Sequence, residues 1–400
     1  MITGALFLIS IVYAILSQQP ALPSVKVAFI GNSMMYYNDL PRLVEKMGDG
    51  RITQDSCLHG DATLSSILVW GNGMYDKWRT GTARVGEPGQ GQPPLYDFGA
   101  CTVPQLLFGY DEQLEAKMEE QQGGNYADDD VSLAETAAAD DFVSFYDGSN
   151  PCLMDENYYE YLQTKYAATI TEDGGTTTWD YVILNDNTRS PARYQSRQEG
   201  LQTIETYYLP WFQELGATPI LISTYAYWSP YRDMGGLFDV PTFTSLTYEG
   251  YLQYARALEE GLPVHQKPRV AKVGWAFLVV WEENRGLWDT LFHVDKIHAS
   301  PAGTYLEALV VYHAIYGALP SRSIVLRHDS SSMWEHARRF APANHRRGRF
   351  PTPEEELYLY NVAQRICLHN YVPRTLTLYT VPEAAYYTPN DDLYRVDDLF

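Results

Sequence analysis

The stretch Val25-Lys26-Val27-Ala28-Phe29-Ile30 is a short, mostly apolar and β-branched run that stops at Gly31 and is followed at once by Asn32-Ser33. A run of that length with no helical spacing has the form of a strand buried on both faces. Similar runs recur at Tyr181–Leu184, Pro219–Ile222 and Arg269–Gly274. Between them lie segments of helical spacing. Asn38 is placed to cap a helix through Leu40, Leu43, Val44 and Met47 to Gly48, and Leu201 to Leu215, Leu246 to Leu258 and Ala302 to Tyr316 carry the same period. Strands that alternate with helices require a mostly parallel sheet with both faces covered. The expected class is therefore α/β: a doubly wound sheet in a three-layer α/β/α sandwich.

Two regions depart from this rhythm. From Gly71 to about Asn150 the chain is rich in Gly, Pro and Asp, including Gly86-Glu87-Pro88-Gly89 and Asp128-Asp129-Asp130. Such a segment within a domain reads as an insertion, residues 71–150, that partly caps the sheet. After Gly317 a basic stretch, His336 to Arg349, precedes a capped helix from Thr352-Pro353-Glu354-Glu355-Glu356 to about Leu368. The expected organisation is a core domain over 23–320 and a C-terminal extension over 321–400 packed on it. The basic stretch reads as a solvated loop that offsets local acidity.

Ahead of the core, Gly4 to Leu16 is apolar and uncharged, then turns polar at Ser17-Gln18-Gln19. It is short for a bilayer span, so residues 1–22 read as a signal peptide or, failing cleavage, an N-terminal anchor. Secretion or the secretory pathway is the expected location. The cysteines Cys57, Cys101, Cys152 and Cys367 are widely spaced, without a zinc-type pairing. In an oxidising compartment an even count suggests two disulfides, with three connectivities open; in a reducing one, four buried thiols. Fifty Asp and Glu against 29 Lys and Arg give a net charge of −21, which disfavours nucleic acid and anionic membranes as partners.

Two places carry the residue types of nucleophilic catalysis. Ser33 follows the first strand, at the carboxyl edge where open α/β sheets keep their sites. Far along the chain, Asp295-Lys296-Ile297-His298-Ala299-Ser300-Pro301 precedes the last core helix. Asp and His three apart can place the carboxylate against one ring nitrogen and leave the other free to take a proton. Taken singly, Ser33 also reads as a turn or cap residue, and Asp295 and His298 as helix-start neighbours.

Taken together, a Gly-x-Ser after the first strand and D-x-x-H-x-S before the final helix resemble the first and last blocks of the SGNH (GDSL-type) hydrolases, and Pro301-Ala302-Gly303-Thr304-Tyr305-Leu306 resembles their entry into the last helix. The likeness spans roughly Val25 to Gly317. It implies a flavodoxin-like sheet and a secreted serine esterase acting on O-acyl groups, of small molecules or glycans, with Ser33 as nucleophile, His298 as base and Asp295 as its orienting acid. It also implies an oxyanion hole from the Ser33 N–H, a glycine after the second strand, here Gly60, and an asparagine after the third, here Asn187 in preference to Asn185. No metal or organic cofactor is implied. The chain departs from the family at Gly31-Asn32-Ser33, where Gly-Asp-Ser is commonest, and at Asn185-Asp186-Asn187-Thr188, where G-x-N-D is usual. Tyr36 and Tyr37, beside the nucleophile, can line the substrate or pack in the core.

Two other readings compete, and a third fold is disfavoured. The departures at Asn32 and Asn185–Asn187 suit a non-catalytic glycan-binding protein on the same fold. His293, Asp295 and His298 offer two imidazoles and a carboxylate to a metal. The G-x-S-x-G elbow of the other common serine-hydrolase fold is missing around Ser33.

Overall fold

The computed structural model describes residues 22–75, 97–109, 150–167, 179–229, 237, 239–322 and 351–376. The N-terminal segment, most of the 71–150 insertion and the basic stretch 336–349 lie outside the described residues.

Five strands, β1 (Val25–Gly31), β2 (Ile52–Leu58), β3 (Tyr181–Leu184), β4 (Thr218–Ile222) and β5 (Arg269–Ala271), form one sheet in the order β2-β1-β3-β4-β5. Every pairing is parallel, with Val27 opposite both Gln54 and Tyr181 and Ile30 opposite both Cys57 and Leu184. The order reverses between β1 and β3, so a crevice opens there at the carboxyl edge, the place where doubly wound sheets bind ligands. Val27, Ala28, Phe29 and Ile30 are fully buried, as a central parallel strand requires. Each such large apolar side chain contributes roughly 1.5–3 kcal/mol through burial.

Helices α1 (Ser33–Tyr36), α2 (Leu40–Met47), α3 (Ser66–Trp70), α4 (Val103–Phe108), α5 (Pro151–Met154) and α6 (Glu156–Ala167) fall between β1 and β3. Then come α7 (Tyr194–Thr203), a π-helical turn at Ile204–Tyr208, α8 (Leu209–Leu215), α9 (Val240–Gly261), α10 (Val273–Glu283), α11 (Arg285–Thr290), α12 (Pro301–Tyr316) and α13 (Pro353–Leu368). Helices α2 and α12 pack against each other on one face. Helices α7 and α9 pack on each other over the opposite face. The result is the three-layer α/β/α sandwich expected. Pro210, the second residue of α8, cannot supply a helical N–H, and the π turn falls immediately before it. Helix α13 has the capping box expected at Thr352 and Glu355 and packs on α10 and α12.

Several boundaries differ from the sequence expectations. β2 was not legible as a strand, because Thr53-Gln54-Asp55-Ser56 is polar; its place at the sheet edge lets Asp55 leave the core to meet Lys165 Nζ at 2.7 Å and the Tyr166 hydroxyl at 2.7 Å. β5 stops at Ala271, and Gly274 already belongs to α10, seated so close to the Thr224 carbonyl that a Cβ would stand 2.6 Å from it. Asp39, and not Asn38, caps α2. Asn38 instead reaches across the molecule, donating to the Ala299 carbonyl and the Thr304 hydroxyl.

The insertion is not all cap. Residues 97–109 pack beside β2, where Ala100 N–H donates to the Ser56 carbonyl, and Val103, Leu106 and Leu107 of α4 are buried. A single disulfide, Cys101–Cys152, joins this segment to α5 with Cα atoms 6.0 Å apart. Two disulfides were expected, but Cys57 lies on β2 at one sheet edge while Cys367 lies beside Lys272, just past β5 at the other, and both are free. No described helix is long and apolar enough to cross a membrane.

Candidate active site

The site is assembled by three loops that leave the carboxyl ends of β1, β2 and β3, and by the loop before α12. Asn32 organises the first. Its side chain accepts from Met34 N–H at 3.1 Å, capping α1, and its Nδ2 donates to the Ala62 carbonyl at 2.8 Å in the loop after β2. Asn185, after β3, accepts the Asn32 N–H at 3.0 Å and donates back to the Asn32 side chain at 3.0 Å. A Cβ on Gly31 would stand 1.8 Å from the Asn185 side-chain oxygen, so glycine at that position makes the approach possible.

This network gives Asn32 and Asn185 a structural role. A carboxylate at position 32 has no proton for the Ala62 carbonyl, whereas the amide both donates and accepts. Asn185, only 1% exposed, spends its amide on Asn32 and on the Asp186 carbonyl. It braces the nucleophile loop and does not face the crevice.

Asp186 was overlooked in the sequence and is the hub of the next layer. One carboxyl oxygen accepts from the N–H groups of Leu64 and Asn187, and the other from the Tyr254 hydroxyl at 2.9 Å. The Tyr251 hydroxyl in turn accepts the Asp186 backbone N–H at 2.9 Å. Complete burial raises the Asp186 carboxyl to about 7, against the pull of those hydrogen bonds.

Ser33 opens α1, so its N–H has no acceptor within the helix. The Gly60 N–H likewise has no acceptor among the described residues. Asp61, in left-handed backbone at φ 59°, turns the loop there, and Asn187 Nδ2 donates to its carbonyl at 3.3 Å. Gly60 and Asn187 therefore belong to adjoining loops on the rim of the same crevice.

The pair expected from Asp295 and His298 meets Ser33. The Ser33 hydroxyl lies 2.8 Å from His298 Nε2, and His298 Nδ1 lies 2.8 Å from Asp295 Oδ2. Asp295 is locked on its other side too: Oδ1 accepts the backbone N–H groups of Ile297 and His298, both at 2.9 Å. His293 adds its own Nδ1 to Oδ2 at 3.0 Å. Burial opposes ionisation of this carboxyl, but hydrogen bonds from both imidazoles and the two N–H groups outweigh it and hold it far below the usual carboxylate range. The loop is fixed from below by an isolated bridge between Phe292 and Ala299 and by Ser300, which caps α12.

The two tyrosines take different places. Tyr37 lies face to face with the His298 ring, centroids 3.8 Å apart and planes within 4°, and meets His293 edge-on. Tyr36 is buried next to the Ser33 loop, and burial raises its ionisation well above the ordinary tyrosine range. In the proposed metal set, both Nδ1 atoms point at one oxygen of Asp295, and His298 Nε2 points at Ser33. Among the described residues no three His, Cys, Asp or Glu side chains are grouped to hold a metal ion.

No family model matches this sequence, and comparison with curated proteins finds no relative. Two solved structures are similar. One is described as "a putative SGNH hydrolase from Slackia heliotrinireducens", 14% identical, TM-score 0.37, with 73% of this chain and 99% of the other covered. The other is a DUF4886 family protein from Bacteroides uniformis, 13% identical, TM-score 0.44, with 87% and 96% covered. At that distance the likeness assigns no residue and no substrate.

Proposed function

We propose that this protein is a serine esterase that transfers an acyl group from a carboxylic ester to water. The observation that carries this reading is the continuous relay Ser33–His298–Asp295, two hydrogen bonds of 2.8 Å at the carboxyl edge of a parallel sheet. A structural serine needs no imidazole whose far nitrogen is held by a carboxylate; an activated one does.

In the acylation step the Ser33 oxygen attacks the ester carbonyl as His298 Nε2 takes its proton. Asp295 keeps His298 protonated at Nδ1 and stabilises the imidazolium that forms. The carbonyl oxygen becomes an oxyanion, and the donors assigned to it in this reading are the N–H groups of Ser33 and Gly60 and the Asn187 amide, whose Nδ2 meets the Asp61 carbonyl in the absence of substrate. His298 then returns the proton to the leaving alcohol. Water, deprotonated by the same imidazole, attacks the acyl-enzyme, and Ser33 is released with the carboxylic acid.

Tyr37 covers one face of His298, which limits rotation of the ring. The bracing of Ser33 through Asn32 and Asn185 fixes the nucleophile before substrate arrives. The sequence resemblance suggests esters of carbohydrates, lipids or small acyl groups, and the acidic, aromatic-rich composition, with secretion as the matching location, tilts the reading towards O-acylated glycans. The test is turnover of short-chain aryl esters by the full chain, with Ser33→Ala and His298→Ala as controls. Hydrolysis lost in both variants is expected; a folded wild-type protein without turnover on aryl esters or acetylated sugars points to the glycan-binding reading.

A further inference from the structure

A second cavity, of about 490 Å³, opens toward the amino-terminal edge of the sheet, between β5, the first residue of β3, the end of α12 and the end of α13. Helix α12 runs from the catalytic loop to this cavity, and its 16 residues separate the two by about 24 Å. Three basic side chains line it, Arg269, Lys272 and His313, and none of the described residues lining it is acidic. In a chain of net charge −21 that concentration of positive charge is against the average.

The bland uses of these groups leave charge over. Arg269 donates through Nη1 to the carbonyls of Ala314 and Ile315, closing the end of α12 and meeting its negative pole, and its guanidinium lies over the Tyr181 ring. Lys272 has no carboxylate partner among the described residues; its ammonium sits over the Trp275 ring at 4.5 Å. Burial lowers the Lys272 ammonium, and His313 is lowered by burial and then by Arg269 and Lys272. Asp180, which acts on Tyr316 of the cavity wall, accepts the Lys26 N–H at 2.7 Å.

We propose that this cavity is a binding site for a small oxyanion, a phosphate or carboxylate group carried on a compact molecule, received by Lys272 and His313 with the free edge of Arg269. Tyr181 and Tyr316 supply flat walls for the organic part. Bound there, an oxyanion makes charge-assisted hydrogen bonds with Lys272 and Arg269 and counters the effect of these two cations against protonation of His313. The site is separate from the catalytic edge and does not depend on the esterase reading.

The test is isothermal titration calorimetry of the full chain with inorganic phosphate and, in parallel, acetate, at ionic strength held constant with chloride. Saturable binding of either is expected, and which one binds identifies the oxyanion. Lys272→Gln and His313→Gln, made separately, each weaken the affinity by about tenfold, while Ser33→Ala leaves it unchanged. No binding of either anion, binding that both substitutions leave intact, or binding lost in Ser33→Ala overturns the proposal.

Discussion

The Ser33 hydroxyl and His298 Nε2 stand 2.8 Å apart although 265 positions separate the two residues. The fold brings them together because β1 ends at the point where the strand order reverses and α12 starts beside it. Asn38 closes the same gap directly, since its amide bonds the Ala299 carbonyl and Thr304 on the far loop. The relay is thus held at both ends by backbone contacts, which leads to distinct expectations for its members.

Asp295→Asn is expected to lower kcat by about 10³–10⁴-fold with little change in KM, because an amide can hold the wrong imidazole tautomer. His293→Gln is expected to act more mildly, since three of the four hydrogen bonds on Asp295 remain. Because Asp295 is held ionised far below the usual range, the acid limb of the pH–rate profile should report one imidazole and no carboxylate. Steady-state kinetics of both variants across pH checks this; a second ionisation on the acid limb that vanishes in Asp295→Asn contradicts it.

Tyr37→Leu is expected to lower kcat/KM by about tenfold, with Tyr37→Phe near wild type, because the ring face and not the hydroxyl meets His298. Parallel kinetics of the two variants decide this. Equal loss in both assigns the role to the hydroxyl.

Asn32 and Asn185 are expected to behave as one unit. Each changed to Ala leaves buried partners unpaired, at a cost of about 1–3 kcal/mol in unfolding free energy. The double variant should lose less than the sum of the two, as measured by urea denaturation. Asn32→Asp should also destabilise, since it sets a carboxyl oxygen against the Ala62 carbonyl.

Much of this arrangement was legible in the sequence, and what escaped has a physical cause. The apolar runs of β1, β3 and β4 announce themselves because both faces of each strand are buried. β2 escaped because an edge strand can carry Gln54, Asp55 and Ser56. Ser33, Asp295 and His298 were visible through residue type and spacing. Asn185 was not, since its role depends on the space left by Gly31, which is a property of two adjacent strands. Asp186 escaped for the same reason: its partners Leu64, Tyr251 and Tyr254 come from distant elements, and only its neighbour Asn187 is local. The expected pairing of all four cysteines failed because an even count carries no information on which strand edge holds each thiol.

Asp186 makes a pH prediction of definite sign. Its carboxyl is raised to about 7 in the folded chain, so between about pH 4 and 7 the unfolded chain has released a proton that the native one retains. The contribution of this group therefore favours folding least at high pH: stability falls as pH rises through that window and levels above it. Asp186→Asn keeps an acceptor for Leu64 and Asn187 and removes the titration. The stability difference between variant and wild type should move in favour of the variant from pH 4 to 7 in urea denaturation; parallel curves contradict this.

The most direct test of the esterase account is labelling of the purified full chain with a fluorophosphonate, which reacts with an activated serine, followed by mass-spectrometric mapping of the adduct. The account predicts a single adduct on Ser33, absent from Ser33→Ala and strongly slowed in His298→Ala. A folded protein that takes up no label, or one labelled at another serine with Ser33 untouched, contradicts it.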